Sequence, residues 1–92
     1  MPVPRAMRSR WRRGFLGLYA LRMMSREPIY IHQVVTRIAE RTQGAWHPSA
    51  GAIYPSVRSL VDQGFAEAKR MSGRRRFVIT GAGRRRLARF RS

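Results

Sequence analysis

Apolar positions along this chain fall into blocks whose spacing shifts from helical to alternating and back. Between Trp11 and Arg26, the residues Phe15, Leu16, Leu18, Tyr19, Ala20, Leu21, Met23 and Met24 leave almost no polar face apart from Arg22. A helix apolar nearly all round is usually buried on more than one side. The pattern therefore predicts a first helix shared between the core and a partner subunit. Glu27-Pro28 ends it, because the residue before a proline avoids the helical region. A second helix is expected over Tyr30–Gln43. Its Ile31, Val34, Val35, Ile38 and Ala39 recur at helical spacing as one stripe. Gly44 is a stop signal, and Ala45-Trp46-His47-Pro48 is a connecting turn.

Ser49 is an N-cap candidate for a third helix. There Ile53, Val57, Leu60 and Val61 share one face, and Gly51, Ala52, Pro55, Arg58, Ser59 and Asp62 point away from it. Gly64 caps its end. Two extended runs follow, Phe65–Met71 and Arg75–Thr80, joined by Ser72-Gly73-Arg74 as a β-hairpin. Thr80-Gly81-Ala82-Gly83 leads into a last helix over Arg84–Arg91, with Leu87 and Phe90 as its apolar side. Helices joined by a short turn suggest a helix-turn-helix. A basic hairpin directly after them completes the plan of a winged helix-turn-helix, ordered α-α-α-β-β-α. Residues 1–10 read as a flexible basic arm and 11–92 as one domain.

Pro55 interrupts the third helix. An interior proline loses one backbone hydrogen bond, crowds the carbonyl four residues back, and costs about 3 kcal/mol or more. That carbonyl belongs to Gly51, which has no side chain to restrict local adjustment. A loose or 3₁₀ first turn is the expected outcome. The outward surface there is thin, and a helix end with small side chains and free N–H groups can approach a phosphate or a groove floor closely.

Composition narrows the function. The 92 residues carry 20 Lys and Arg against 4 Asp and Glu, a formal net charge of +16. Such a chain calls for a polyanionic partner. Double-stranded DNA is the leading candidate, with RNA, for example on a ribosome, as the alternative. There is no cysteine, which excludes disulfides and thiolate metal sites. Two histidines and four carboxylates offer little for acid–base catalysis or metal binding. The expectation is a protein that is not an enzyme and uses no cofactor. Arg12-Arg13-Gly14-Phe15-Leu16 resembles the core of a twin-arginine export signal, but Arg22 breaks the apolar run that follows. A cytoplasmic location is expected, with no membrane partner, since a span needs about 20 apolar residues.

The stretch Pro48-Ser49-Ala50-Gly51-Ala52-Ile53-Tyr54-Pro55, with Val57, Leu60 and Gly64-Phe65 after it, resembles the signature of PadR-family transcriptional regulators. Arg75-Arg76-Phe77-Val78-Ile79-Thr80-Gly81-Ala82-Gly83 is similar to that family's second wing strand and its Thr-x-x-Gly entry to the last helix. The likeness spans roughly residues 15–88, and the Tyr-Pro pair is its most discriminating element. Where the family usually opens its second helix with Gly-Tyr, this chain has Tyr30-Ile31-His32. The resemblance implies a dimeric DNA-binding repressor whose third helix enters the major groove.

The expected nucleic-acid contacts are Ser49, Ala50, Gly51, Tyr54, Pro55, Arg58 and Ser59 on the third helix, and Arg74, Arg75 and Arg76 on the wing. Arg58 either reaches a guanine edge or pairs with Asp62 one turn on. The wing arginines are expected to lie along the backbone or in the minor groove. A homodimer is expected through Phe15, Leu18, Leu21, Leu87 and Phe90.

Overall fold

The computed structural model describes residues 16–89. The basic arm, the first turns of the expected first helix with Phe15, and Phe90 lie outside the described residues. Within them the elements run α1 Gly17–Met24, α2 Ile31–Arg41, α3 Ala50–Asp62, β1 Ala66–Met71, β2 Arg74–Ile79 and α4 Gly81–Ala88. This is the expected α-α-α-β-β-α order of a winged helix-turn-helix.

One cluster forms the core. Leu16, Ala20, Leu21 and Met24 from the first helix meet Val34 and Ile38 of α2 and Ile53, Val57 and Leu60 of α3. Ile29, Ala66, Phe77 and Leu87 close it. α1 lies against α3, α4 and β2, and α3 lies against α2 and β1. Leu21 is 1% exposed and Leu87 5% exposed. Both spend their surface on the core of their own chain. Leu18 is half-buried and keeps part of its surface outward.

α3 starts as expected, with the Ser49 hydroxyl accepting the Ala52 N–H at 3.2 Å. The expected loose first turn is not found, because α3 is regular α-helix from Ala50 through Pro55. Gly51 and Pro55 both lie on the exposed side, where water can serve the carbonyl that proline leaves without a donor. At its far end Gly64 takes φ +82°, the left-handed region where a Cβ is penalised. The Phe65 N–H then reaches Leu60 O at 2.9 Å and the Gly64 N–H reaches Val61 O at 3.0 Å, a Schellman ending.

The hairpin turn is tighter than expected. Ser72 and Gly73 both have positive φ, 52° and 76°, as a two-residue turn matched to strand twist requires. Arg74 therefore belongs to β2, and the antiparallel register pairs Met71 with Arg74, Arg70 with Arg75, Lys69 with Arg76 and Ala68 with Phe77. On its other edge β2 bridges to Ile29 through Phe77, which fixes the wing to the segment before α2. α4 begins earlier than Arg84 because Thr80 caps it, its hydroxyl accepting the Gly83 N–H at 3.0 Å. The same hydroxyl donates to Gly64 O at 2.7 Å. A Cβ at Gly83 would collide with the Phe65 carbonyl oxygen and stand 2.8 Å from Ile79 Cγ1. The Thr-x-x-Gly run is thus a joint that presses α4 onto the start of β1.

Candidate nucleic-acid interface

α3 sets its small residues outward. Ala50, Gly51, Pro55, Arg58 and Ser59 are exposed, and Ala52 is half-buried. A Cβ at Gly51 would meet only Ser49 Oγ, at 3.8 Å, so nothing within the fold limits size there. Arg58 has no hydrogen-bond or ion-pair partner among the described residues; the alternative of an Arg58–Asp62 pair is not realised. Ser59 is engaged locally, its hydroxyl and its carbonyl both accepting from Gln63 Nε2, at 3.0 and 3.2 Å.

The wing is tied to this helix by one contact. Arg75 Nη1 donates to the Tyr54 hydroxyl at 2.7 Å. Tyr54 is half-buried, so its ring anchors in the fold while its hydroxyl holds a guanidinium at the edge of α3. Arg74 and Arg76 go elsewhere. Side chains alternate faces along a strand, and both guanidinium carbons come to rest over the Tyr30 ring. The sequence treats the three arginines as one cluster; the structure sends Arg75 toward α3 and its two neighbours toward the start of α2.

Two cationic residues escaped the sequence reading. Lys69 and Arg70 are exposed on β1 and stand directly opposite Arg76 and Arg75. Like charges facing one another across a sheet are destabilising. The ribbon therefore carries a concentrated positive field that an anion would relieve. The hairpin register was the signal, and it requires recognising Ser72-Gly73 as a two-residue turn.

Among the described residues, no group of His, Asp and Glu is placed to hold a metal ion. No helix among them is long and apolar enough to cross a membrane. The last helix supports the frame: Arg84 Nη1 donates to Ser25 O at 3.3 Å, just past the end of α1.

Residues 20–89 match the family described as "Transcriptional regulator PadR-like family". The fold is similar to that of a transcriptional regulator from Clostridium thermocellum, with a TM-score of 0.76 at 13% identity over 97% of this chain and 84% of that one. It is also similar to Bacillus subtilis PadR, solved in complex with operator DNA, with a TM-score of 0.71 at 18% identity. That likeness covers 84% of this chain and 46% of that protein. A PadR-family transcriptional regulator from Eggerthella lenta gives a TM-score of 0.69 at 28% identity, over 94% of this chain and 77% of that one. No curated protein matches the chain.

Proposed function

We propose that this chain, which belongs to the PadR-like family of transcriptional regulators, is a sequence-specific double-stranded-DNA-binding repressor. Its family consists of regulators, not enzymes. α3 enters the major groove with its thin face, and Arg58 reads a base edge. The wing lies on the flanking backbone or in the minor groove, with Arg74, Arg75, Arg76, Lys69 and Arg70 supplying charge. The observation that carries this reading is the Arg75–Tyr54 contact, which makes α3 and the arginine ribbon one continuous surface. The Bacillus subtilis relative bound to operator DNA supports the choice of partner. Two copies related by a two-fold axis would bind two half-sites, with the outward part of α1 around Leu18 as the meeting surface. The protein works where DNA is, in the cytoplasm.

The test uses a duplex selected by the full chain from a random library, and a scrambled version of it. Arg58→Ala should cost about 1–3 kcal/mol on the selected duplex and much less on the scrambled one. Equal losses on both would show that α3 does not read sequence. A non-specific or RNA-bound role would then replace the regulator.

A further inference from the structure

Tyr30 makes the wing arginines unequal. Ile29 and Phe77 exchange both backbone hydrogen bonds, at 3.0 and 2.9 Å. Continuing that antiparallel pairing by one residue sets Tyr30 beside Arg76, with Arg74 on the diagonal. The ring receives both side chains: Arg74 Cζ lies 4.5 Å and Arg76 Cζ 4.8 Å from its centroid. The His32 ring stacks on the same tyrosine at 5.8 Å, 14° from parallel. Tyr30 is itself fixed as the N-cap of α2, its N–H donating to Gln33 Oε1 at 2.6 Å.

Two guanidinium groups on one ring repel each other, and the repulsion grows as the local dielectric falls. Among the described residues neither guanidinium is ion-paired with a carboxylate. The acid on that face of the ribbon is Glu67, opposite Val78, two pairs beyond Lys69 and Arg76. Arg76 Nε is buried without a hydrogen-bond partner. A guanidinium stacked on an aromatic face still has its N–H edge free for an acceptor in its own plane. Phosphate oxygens match that edge in geometry and charge. Arg74 is exposed and Arg76 half-buried, so an anion with several oxygens can meet the outer N–H groups of the pair.

We infer that Tyr30 is a positioning residue, holding Arg74 and Arg76 as a preformed cradle for a phosphate of the nucleic-acid backbone. Arg75, on the other face of the ribbon, is held instead for α3. This inference rests on the DNA-binding function proposed above and adds a site to it.

The probe is a random-sequence duplex of about 20 base pairs, because backbone contacts carry no direct sequence information. Binding of the full chain is titrated over salt. Tyr30→Leu should weaken binding about fivefold, the effect of two exposed cation–π contacts. The salt slope should not change, because both arginines remain. Tyr30→Phe keeps the ring and should stay within about twofold of the unmodified chain. In an Arg74→Ala/Arg76→Ala background, Tyr30→Leu should have no further effect. If circular dichroism shows Tyr30→Leu unfolded, Arg74→Lys/Arg76→Lys makes the same test. It keeps the charge, removes planar stacking, and should lose about fivefold at an unchanged slope. Unaltered affinity in the folded leucine variant or in the lysine variant overturns the cradle. So does a Tyr30→Leu loss that persists in the alanine background. An unmodified chain that fails to bind the duplex at all overturns the proposed function, and the cradle with it.

Discussion

Among the described glycines, Gly83 is the one whose added Cβ would collide with the fold. Its missing Cβ is what lets α4 sit on the Phe65 carbonyl, and overpacking against backbone cannot be relieved by a rotamer change. Gly83→Ala should destabilise the fold by about 1–3 kcal/mol, measured by urea unfolding. Leu21 and Leu18 separate stability from association in the same way. Leu21→Ala should cost about 2–5 kcal/mol of stability because it opens a cavity in the core. Leu18→Ser should leave most of the stability and weaken self-association, followed by sedimentation. The sequence could not part these two leucines. A helix apolar on nearly all sides has no period to point inward, so Leu21 and Leu18 looked alike until α3 and α4 were placed around them. The cap residue Ser49 and the stop at Gly64 were legible, because their chemistry is local, whereas Thr80 read as a strand end and its capping of α4 was missed.

At the scale of the element, α3 trades bulk for closeness of approach. A Cβ at Gly51 would make only an ordinary contact with Ser49 Oγ, so the fold gains nothing from its lack of a side chain. Gly51→Ala should stabilise the free protein by about 0.5 kcal/mol, as removing an exposed helix glycine does. Gly51→Gln should fold as well as the unmodified chain yet bind the selected duplex about tenfold more weakly, a loss of about 1.4 kcal/mol. Thermal melting and a binding titration on the same samples check both halves. Unchanged binding by the glutamine variant would mean that nothing comes close to the first turn of α3. The type and order of the elements followed from the hydrophobic spacing and the Pro, Gly and Ser signals between the blocks. The hairpin register did not, since it hung on whether Arg74 belonged to the turn or to β2. That one-residue difference decides which arginines face Tyr30 and which faces Tyr54.

For the whole molecule, salt should act with opposite signs on folding and on binding. The free chain carries +16 and sets Lys69 against Arg76 and Arg70 against Arg75. Screening shortens the reach of that repulsion to about 10 Å at 0.1 M, so the melting temperature should rise with added salt. Contact with about six to ten phosphates instead predicts an affinity that falls roughly 10³- to 10⁵-fold between 50 and 200 mM. The net charge announced a polyanion, but charge alone cannot distinguish a repressor from an RNA-bound protein. The most direct test is the affinity of the unmodified chain for its selected duplex, the scrambled duplex and a structured RNA, side by side at about 150 mM salt. The selected duplex should win over the other two by about 10³-fold or more, the margin of specific recognition. Equal affinity for both duplexes, or a preference for the RNA, would contradict a DNA-reading surface built from α3 and the wing.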